Sequence, residues 1–492
     1  MKFYKIIMVG MYLLFLASCD EDIVNVSKVN TEDFVFVSSE RLLVTGRVLL
    51  IADQGLIDHG FQVARSDDFS DFITLSLGPK ESSGKFIGEF NDLEPGIDYF
   101  CRSYAEDENG IVTGNIRMVT TLNPFLESFT PSKAAAGEQI TIKGRNFTQG
   151  VEVYFGDQRA EILENNFESE LLVVVPNPSN QVETSIRVVN KGTALVYDDQ
   201  FEYIIGEWEE VAKFIEGIQF SEGIFLQEGN IAYFGLGFFD EANDHNNQIW
   251  QANLNDWNWT EVPFSGPALR GSFFSEGIFG GGALSFNFAS TSNSRESWSL
   301  ENGNISTFSS LPFALYKAIS FQTDDKVWVV GGQDEALDDS FDIFIYSNLT
   351  STWEELEVKT PIAFNSSNPH FQFQEFFYFI ADDKSLWRFD SVEEDWQNIS
   401  AFPGATIEGA FAKVLGDKVF VGLGDRSQNM FEYDPISNLW KRKIEFSGNS
   451  LYSNVAQFSD DNHIYFIRRY SGPSQQNPDN TMQIWRFSPY EF

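Results

Sequence analysis

Five residues in the C-terminal part of the chain carry side chains that can bind or activate a polar ligand: Arg270, Tyr316, Lys317, Glu408 and Tyr452. Each stands at the start of an apolar run that reads as a strand, so all five share one mouth if those strands converge. Arg270 and Glu408 are the pair that could do general acid/base work there, which needs groups within hydrogen-bond reach of the reacting atoms. Asn368 occupies the same kind of position. Trp257, Trp298, Phe286 and Phe288 add ring faces of the sort that stack on the C–H faces of a sugar.

Other chemistries lack their residues. His245, His370 and His463 fall in unrelated stretches, and residues 206–492 contain no cysteine. No Ca²⁺-loop pattern, P-loop, G-x-S-x-G or H-E-x-x-H is present. No metal site, cofactor or catalytic set is therefore expected, and binding is favoured over catalysis. The formal charge is −39 and the pI about 4.3, which argues against a nucleic-acid partner, since phosphate binding needs clustered Lys and Arg.

The elements that must position these residues are repeats. In KVWVVGGQDEALDDSFDIFIYSNLTSTW (Lys326 to Trp353) an apolar run ends in Gly331-Gly332, a polar loop follows, and a second run leads through a turn to Trp353. Matching copies end at Trp259, Trp396 and Trp440, with Phe308 standing in for Trp in a weaker one. The anchors are 49, 45, 43 and 44 residues apart, a period that suits four-stranded units that stack. Trp208 opens a last strand with no unit before it, and MQIWRFSPYEF at the C-terminus lacks one. Glu207 to Phe214 is thus expected to complete the unit begun at Leu451, giving six. The hydrophobic strand, Gly-Gly and Tyr-Asp-x-x-x-x-x-Trp pattern resembles kelch-type repeats, best in KVWVVGGQD and EYDPISNLW, and implies a six-bladed β-propeller over 206–492. The glycine pair is replaced in places, by Ala381-Asp382 and Arg468-Arg469 for example. Of two enzyme families that share this fold, galactose-oxidase-like proteins need a copper set with a cross-linked Cys, which is absent. Sialate-mutarotase-like propellers use charged residues at the mouth, where Arg270 and Glu408 would be the candidates.

The N-terminal part supplies an address and a stalk. Lys2 and Lys5 precede an apolar run from Ile6 to Leu16, the layout of a secretory signal. Leu16-Ala17-Ser18-Cys19 resembles the bacterial lipobox, which implies acylation of Cys19 and a signal peptide over 1–19. The following Asp20-Glu21-Asp22 resembles the surface-export signal of Bacteroidota lipoproteins. The expected location is the outer membrane, lipid-anchored and facing outward. Over 22–122, NDLEPGIDYFCRSY resembles a fibronectin-III domain, and Tyr99 is expected to make the corner hydrogen bond of such sandwiches. Over 123–205, GEQITIKGRNF, VYFGDQRAEI and SIRVVNKG together resemble the IPT/TIG domain. In the ITIK strand, Gly144 is read as permitting the turn that follows.

The fold expected is all-β: two immunoglobulin-like sandwiches followed by a six-bladed kelch-like propeller. The function expected is display of a ligand-binding head, with a glycan as the first candidate ligand and a protein next. A TonB-dependent transporter is the kind of protein partner such a lipoprotein would have. A sugar mutarotase is the enzymatic alternative.

Overall fold

The computed structural model describes residues 27–50, 55–179, 181–239, 244–472 and 481–491. Cys19 and the signal around it lie outside them. The described residues are all-β, with no helix. The chain divides into two compact units, with the break between Glu202 and Tyr203.

The first unit holds two pairs of facing sheets. In the first pair, strands Lys28–Val37, Leu42–Leu49 and Gly84–Phe90 face a sheet centred on Asp58–Ala64 and Asp98–Asp107. Leu42, Val44 and Phe86 from one side pack on Phe61, Tyr99 and Cys101 from the other. Tyr99 and Cys101, two apart on one strand, share the inner face as strand alternation requires. The Tyr99 hydroxyl accepts the Glu94 N–H at 3.0 Å, the corner bond expected of it. Burial pushes the Cys101 thiol up to about 12, so it is inert packing at neutral pH.

In the second pair, Gln139–Arg145 lies between Phe125–Thr130 and Glu170–Val174, and Thr193–Tyr203 pairs with Glu183–Asn190 in the facing sheet. Phe155-Gly156-Asp157 forms the hairpin tip between Glu152–Phe155 and Gln158–Arg159. Gly144 has a different role from the one its sequence suggests. It is inside the strand, where a Cβ would collide with the Phe125 carbonyl oxygen, and Asn146 takes the left-handed turn position at φ 59°. A close backbone approach, not a turn, requires the glycine. Both sandwiches are tied by charge: Lys191 reaches Asp92 at 2.5 Å and the buried Glu40 at 3.4 Å.

Among its described residues the second unit contains six four-stranded antiparallel sheets. Sheet 1 is Ile224–Glu228, Ile231–Gly235, Ile249–Asn253 and Thr260–Val262; sheet 2 is Phe273–Ser275, Ile278–Gly280, Ser297–Glu301 and Asn304–Thr307. Sheet 3 is Ile319–Gln322, Lys326–Val330, Ile343–Ser347 and Thr352–Glu355; sheet 4 is His370–Phe373, Phe376–Ile380, Ser385–Asp390 and Asp395–Ala401. Sheet 5 is Phe411–Leu415, Lys418–Gly422, Met430–Asp434 and Leu439–Arg442. Sheet 6 takes Tyr452–Ser459, Ile464–Tyr470 and Gln483–Ser488 from the C-terminus and Glu207–Lys213 from the front, with Trp208 opposite Phe487.

The core of this unit lies between the sheets. One buried apolar cluster spans each junction, 1 to 2 through 5 to 6, and another joins sheet 6 to sheet 1. A phenylalanine after each fourth strand makes the link. Phe264 packs on Trp298, Phe313 on Trp353, Phe364 on Trp396, Phe402 on Trp440 and Phe446 on Trp485, each in the next sheet. Phe214, after the strand that completes sheet 6, packs on Trp250 and Trp259 of sheet 1. Six phenylalanines are used in this way, each sheet placing a ring in the groove of its neighbour. Gly331 keeps its place for backbone reasons, since φ is 64° and a Cβ would strike the Phe364 carbonyl oxygen.

Candidate functional site

The first strands of the six sheets begin around one cavity of about 460 Å³. Glu222, Gly271, Lys317, Asn368, Glu408 and Asn454 each come from a different sheet's lead-in or first strand and line it. The lead-ins are tied to one another by backbone bonds. Gly271 N–H donates to Glu222 O at 2.9 Å, Lys317 N–H to Gly271 O at 2.8 Å, and Ser366 N–H to Lys317 O at 2.8 Å. The left-handed φ of Glu222 (55°) and Lys317 (57°) is what turns these carbonyls toward the next sheet. Non-glycine residues held there signal a constrained site.

Glu222 is the centre of the charge arrangement. Arg270 grips it with both Nε and Nη2, the latter at 3.0 Å. Lys317 Nζ is 3.0 Å from its Oε1, and the Tyr316 hydroxyl donates to its Oε2 at 2.6 Å. Burial works against the charge, but Arg270, Lys317 and Tyr316 overcome it and hold the carboxyl at about 2. The Tyr316 phenol is pushed up by burial and by that carboxylate, so it stays a donor. Phe238 and Phe286 cover the Arg270 guanidinium at 4.6 and 4.4 Å from their ring centres.

Of the residues singled out by sequence, the structure thus brings Arg270, Tyr316 and Lys317 together, on a carboxylate the sequence reading did not include. Glu408 does not meet Arg270; it is exposed on the cavity wall. Tyr452 is 3 % exposed and turned into the core against Tyr470, while its neighbours Ser453 and Asn454 take the wall. Asn368 is buried and braces the turn between the second and third strands of sheet 4, donating to Asp382 Oδ1 at 2.9 Å. Trp257 and Trp298 are core residues. Phe286 and Phe288 sit on a two-stranded hairpin, Ala283–Asn287 and Ser290–Asn293, with Phe288 fully exposed. The acidic loop 334–340 braces that hairpin: Thr291 N–H donates to Glu335 O at 2.8 Å, and Asp334 Oδ1 accepts the N–H of Ala336 at 2.8 Å. Among the described residues no cluster of His, Cys, Asp and Glu could hold a metal ion.

Glu222, Arg469 and His370 are the site residues missed. Arg469 lines the cavity; burial pushes its guanidinium below the ordinary range and the Glu222 charge opposes that. Its neighbour Arg468, buried and held down at about 9 by burial, bonds Asn454 Oδ1 at 2.9 Å and lies 4.3 Å from the Phe446 ring centre. This Arg pair stands where other repeats have glycines, and that departure is the signal that would have found it. Burial lowers the pKa of His370, against its bond to the Asn368 backbone, and so favours the uncharged ring.

The IPT/TIG family model matches residues 124–203, and this segment is an IPT/TIG domain with an immunoglobulin-like fold. No curated protein matches the chain. Among solved structures, that of YjhT is similar at 13 % identity and a TM-score of 0.43, over 54 % of this chain and 93 % of the other.

Proposed function

We propose that this chain is a surface-displayed outer-membrane lipoprotein whose C-terminal unit is a six-bladed kelch-type propeller that binds a glycan at its axis. The observation that carries the reading is the cavity lined from all six sheets, where Ser, Asn, Lys, Glu and Arg groups lie beside Phe225, Phe274 and Phe411. A saccharide presents both hydroxyls and C–H faces, and such a wall answers both. The volume of about 460 Å³ is that of a small-ligand site. The propeller reading draws on the run of Phe contacts that leaves each sheet for the next and returns from sheet 6 to sheet 1. A fibronectin-III-like domain and the IPT/TIG domain would serve as the stalk, and a TonB-dependent transporter would be the membrane partner.

The ligand reading is tested on a glycan array followed by isothermal titration. Saturable binding to at least one polysaccharide or oligosaccharide is expected; no binding across the array would sink it and favour a protein ligand. The address is tested separately. Cys19→Ala should move the protein from the membrane fraction to the soluble one, and continued partition with membranes would contradict the lipid anchor.

One feature favours an enzymatic second reading, a sugar mutarotase. His370 donates its Nδ1 proton to Asn368 O at 2.8 Å, which leaves a bare Nε2 on a neutral ring lining the cavity, a group suited to proton transfer. Catalysed anomer interconversion on a sugar panel would support it.

A further inference from the structure

Beside this cavity lies a second, more open chamber of about 240 Å³. The two share His370, Ala412 and Gln457. The inner strands line the chamber, with Glu276, Gln322, Gln372 and Lys413 on its wall.

Lys413 is unusual among the lysines. Lys359 sits 3.0 Å from Asp342 and 2.5 Å from Glu355. Lys413 has no hydrogen-bond or ion-pair partner among the described residues and feels only the charge of Glu276. Burial drives its ammonium down to about 8, with Glu276 opposing. About a tenth of such an amine is unprotonated at pH 7, against fewer than roughly one in a thousand for an ordinary lysine. The chamber also leaves the Oε1 atoms of Gln322 and Gln457 buried without a donor. Hydroxyls would supply what they lack. His370, neutral and with a bare Nε2, is on the same wall.

We infer that Lys413 is a carbonyl-trapping amine that takes small aldehydes in this chamber, the open-chain form of a reducing sugar being the class it fits. The Nζ lone pair forms a bond to the carbonyl carbon, and the oxygen receives the proton that the nitrogen gives up. The resulting carbinolamine loses its hydroxyl and the remaining nitrogen proton as water, leaving an imine. The sugar class rests on the saccharide reading above, but the reactivity of the amine does not.

The test treats the full chain with glycolaldehyde and cyanoborohydride, which fixes each imine, and follows adducts peptide by peptide by mass spectrometry. The adduct at Lys413 should form at least tenfold faster than at Lys359 at pH 7, with a rate that rises through a midpoint near 8. Lys413→Met should lose that adduct alone while keeping its circular dichroism. Should that variant misfold, the site-resolved rates of the unaltered chain still decide. A Lys413 rate no higher than that of Lys359 would overturn the proposal. A reducing hexose in place of glycolaldehyde separates the two claims. Labelling by glycolaldehyde but not by hexose would keep the amine and remove the sugar class.

Discussion

Glu222→Ala is expected to destabilise the C-terminal unit by about 3–5 kcal/mol, the usual cost of removing one partner from a buried ion pair. The reason is local. Arg270 and Lys317 keep only 16 % and 22 % of their side chains accessible, and the carboxylate is their shared counter-charge. Without it, two cations and the Tyr316 hydroxyl lose their partner at the point where sheets 1, 2 and 3 are laced by backbone bonds. Acid should act in the same direction. The carboxyl titrates at about 2 when folded and near 4.5 when unfolded, so its contribution, about 3 kcal/mol, is complete above pH 4.5 and is lost as pH falls toward 2. Denaturant melts of the natural chain and Glu222→Gln at a series of pH values check this. Their stability gap should be widest at neutral pH and shrink below pH 4.5. A gap of constant size would mean that the charge of Glu222 is not what matters.

Trp208→Ala is the second large effect. Trp208 stacks on Phe487 at 4.4 Å between ring centres and meets the Phe446 edge at 4.9 Å. It also lies on the strand that completes sheet 6 from the far end of the repeats. Truncating a large aromatic in such a cluster costs about 3–5 kcal/mol. A thermal melt should show the C-terminal unit unfolding roughly 6–10 °C lower. A variant that melts like the natural chain would show that the first strand contributes little to sheet 6.

The repeat was legible because its signals are local. An apolar run, a turn and a Trp recur at nearly constant spacing, and each maps to third and fourth strands in sheets 1 to 5. The pairing of Glu207–Lys213 with Gln483–Ser488 was legible too, as an unmatched strand at each end. The Phe relay was not, because one Phe after a strand does not stand out among 49 in the chain. Glu222 escaped for another reason. It leads into the first full unit, ahead of the first Trp anchor, and only its match in position to Gly271 and Lys317 marks it. Tyr452 was wrong by one residue. Neighbours in a strand face opposite ways, so the boundary of the run decides which side chain reaches the cavity. In the loop 334–340 the Asp334 carboxylate is spent on the backbone of its own turn, which residue types alone do not reveal.

The proposed glycan site is the cavity lined from all six sheets. The most direct measurement is titration calorimetry of a glycan that the array identifies, with the natural chain and Glu408→Ala in parallel. Glu408 is exposed on the wall and makes no side-chain contact with the Glu222 cluster, so its loss should leave the melting temperature unchanged. Affinity should fall about tenfold, as expected for removing a charged hydrogen-bond acceptor. Equal affinity in both proteins, together with no protection of cavity residues from hydrogen exchange when the glycan is bound, would place binding elsewhere and contradict the account.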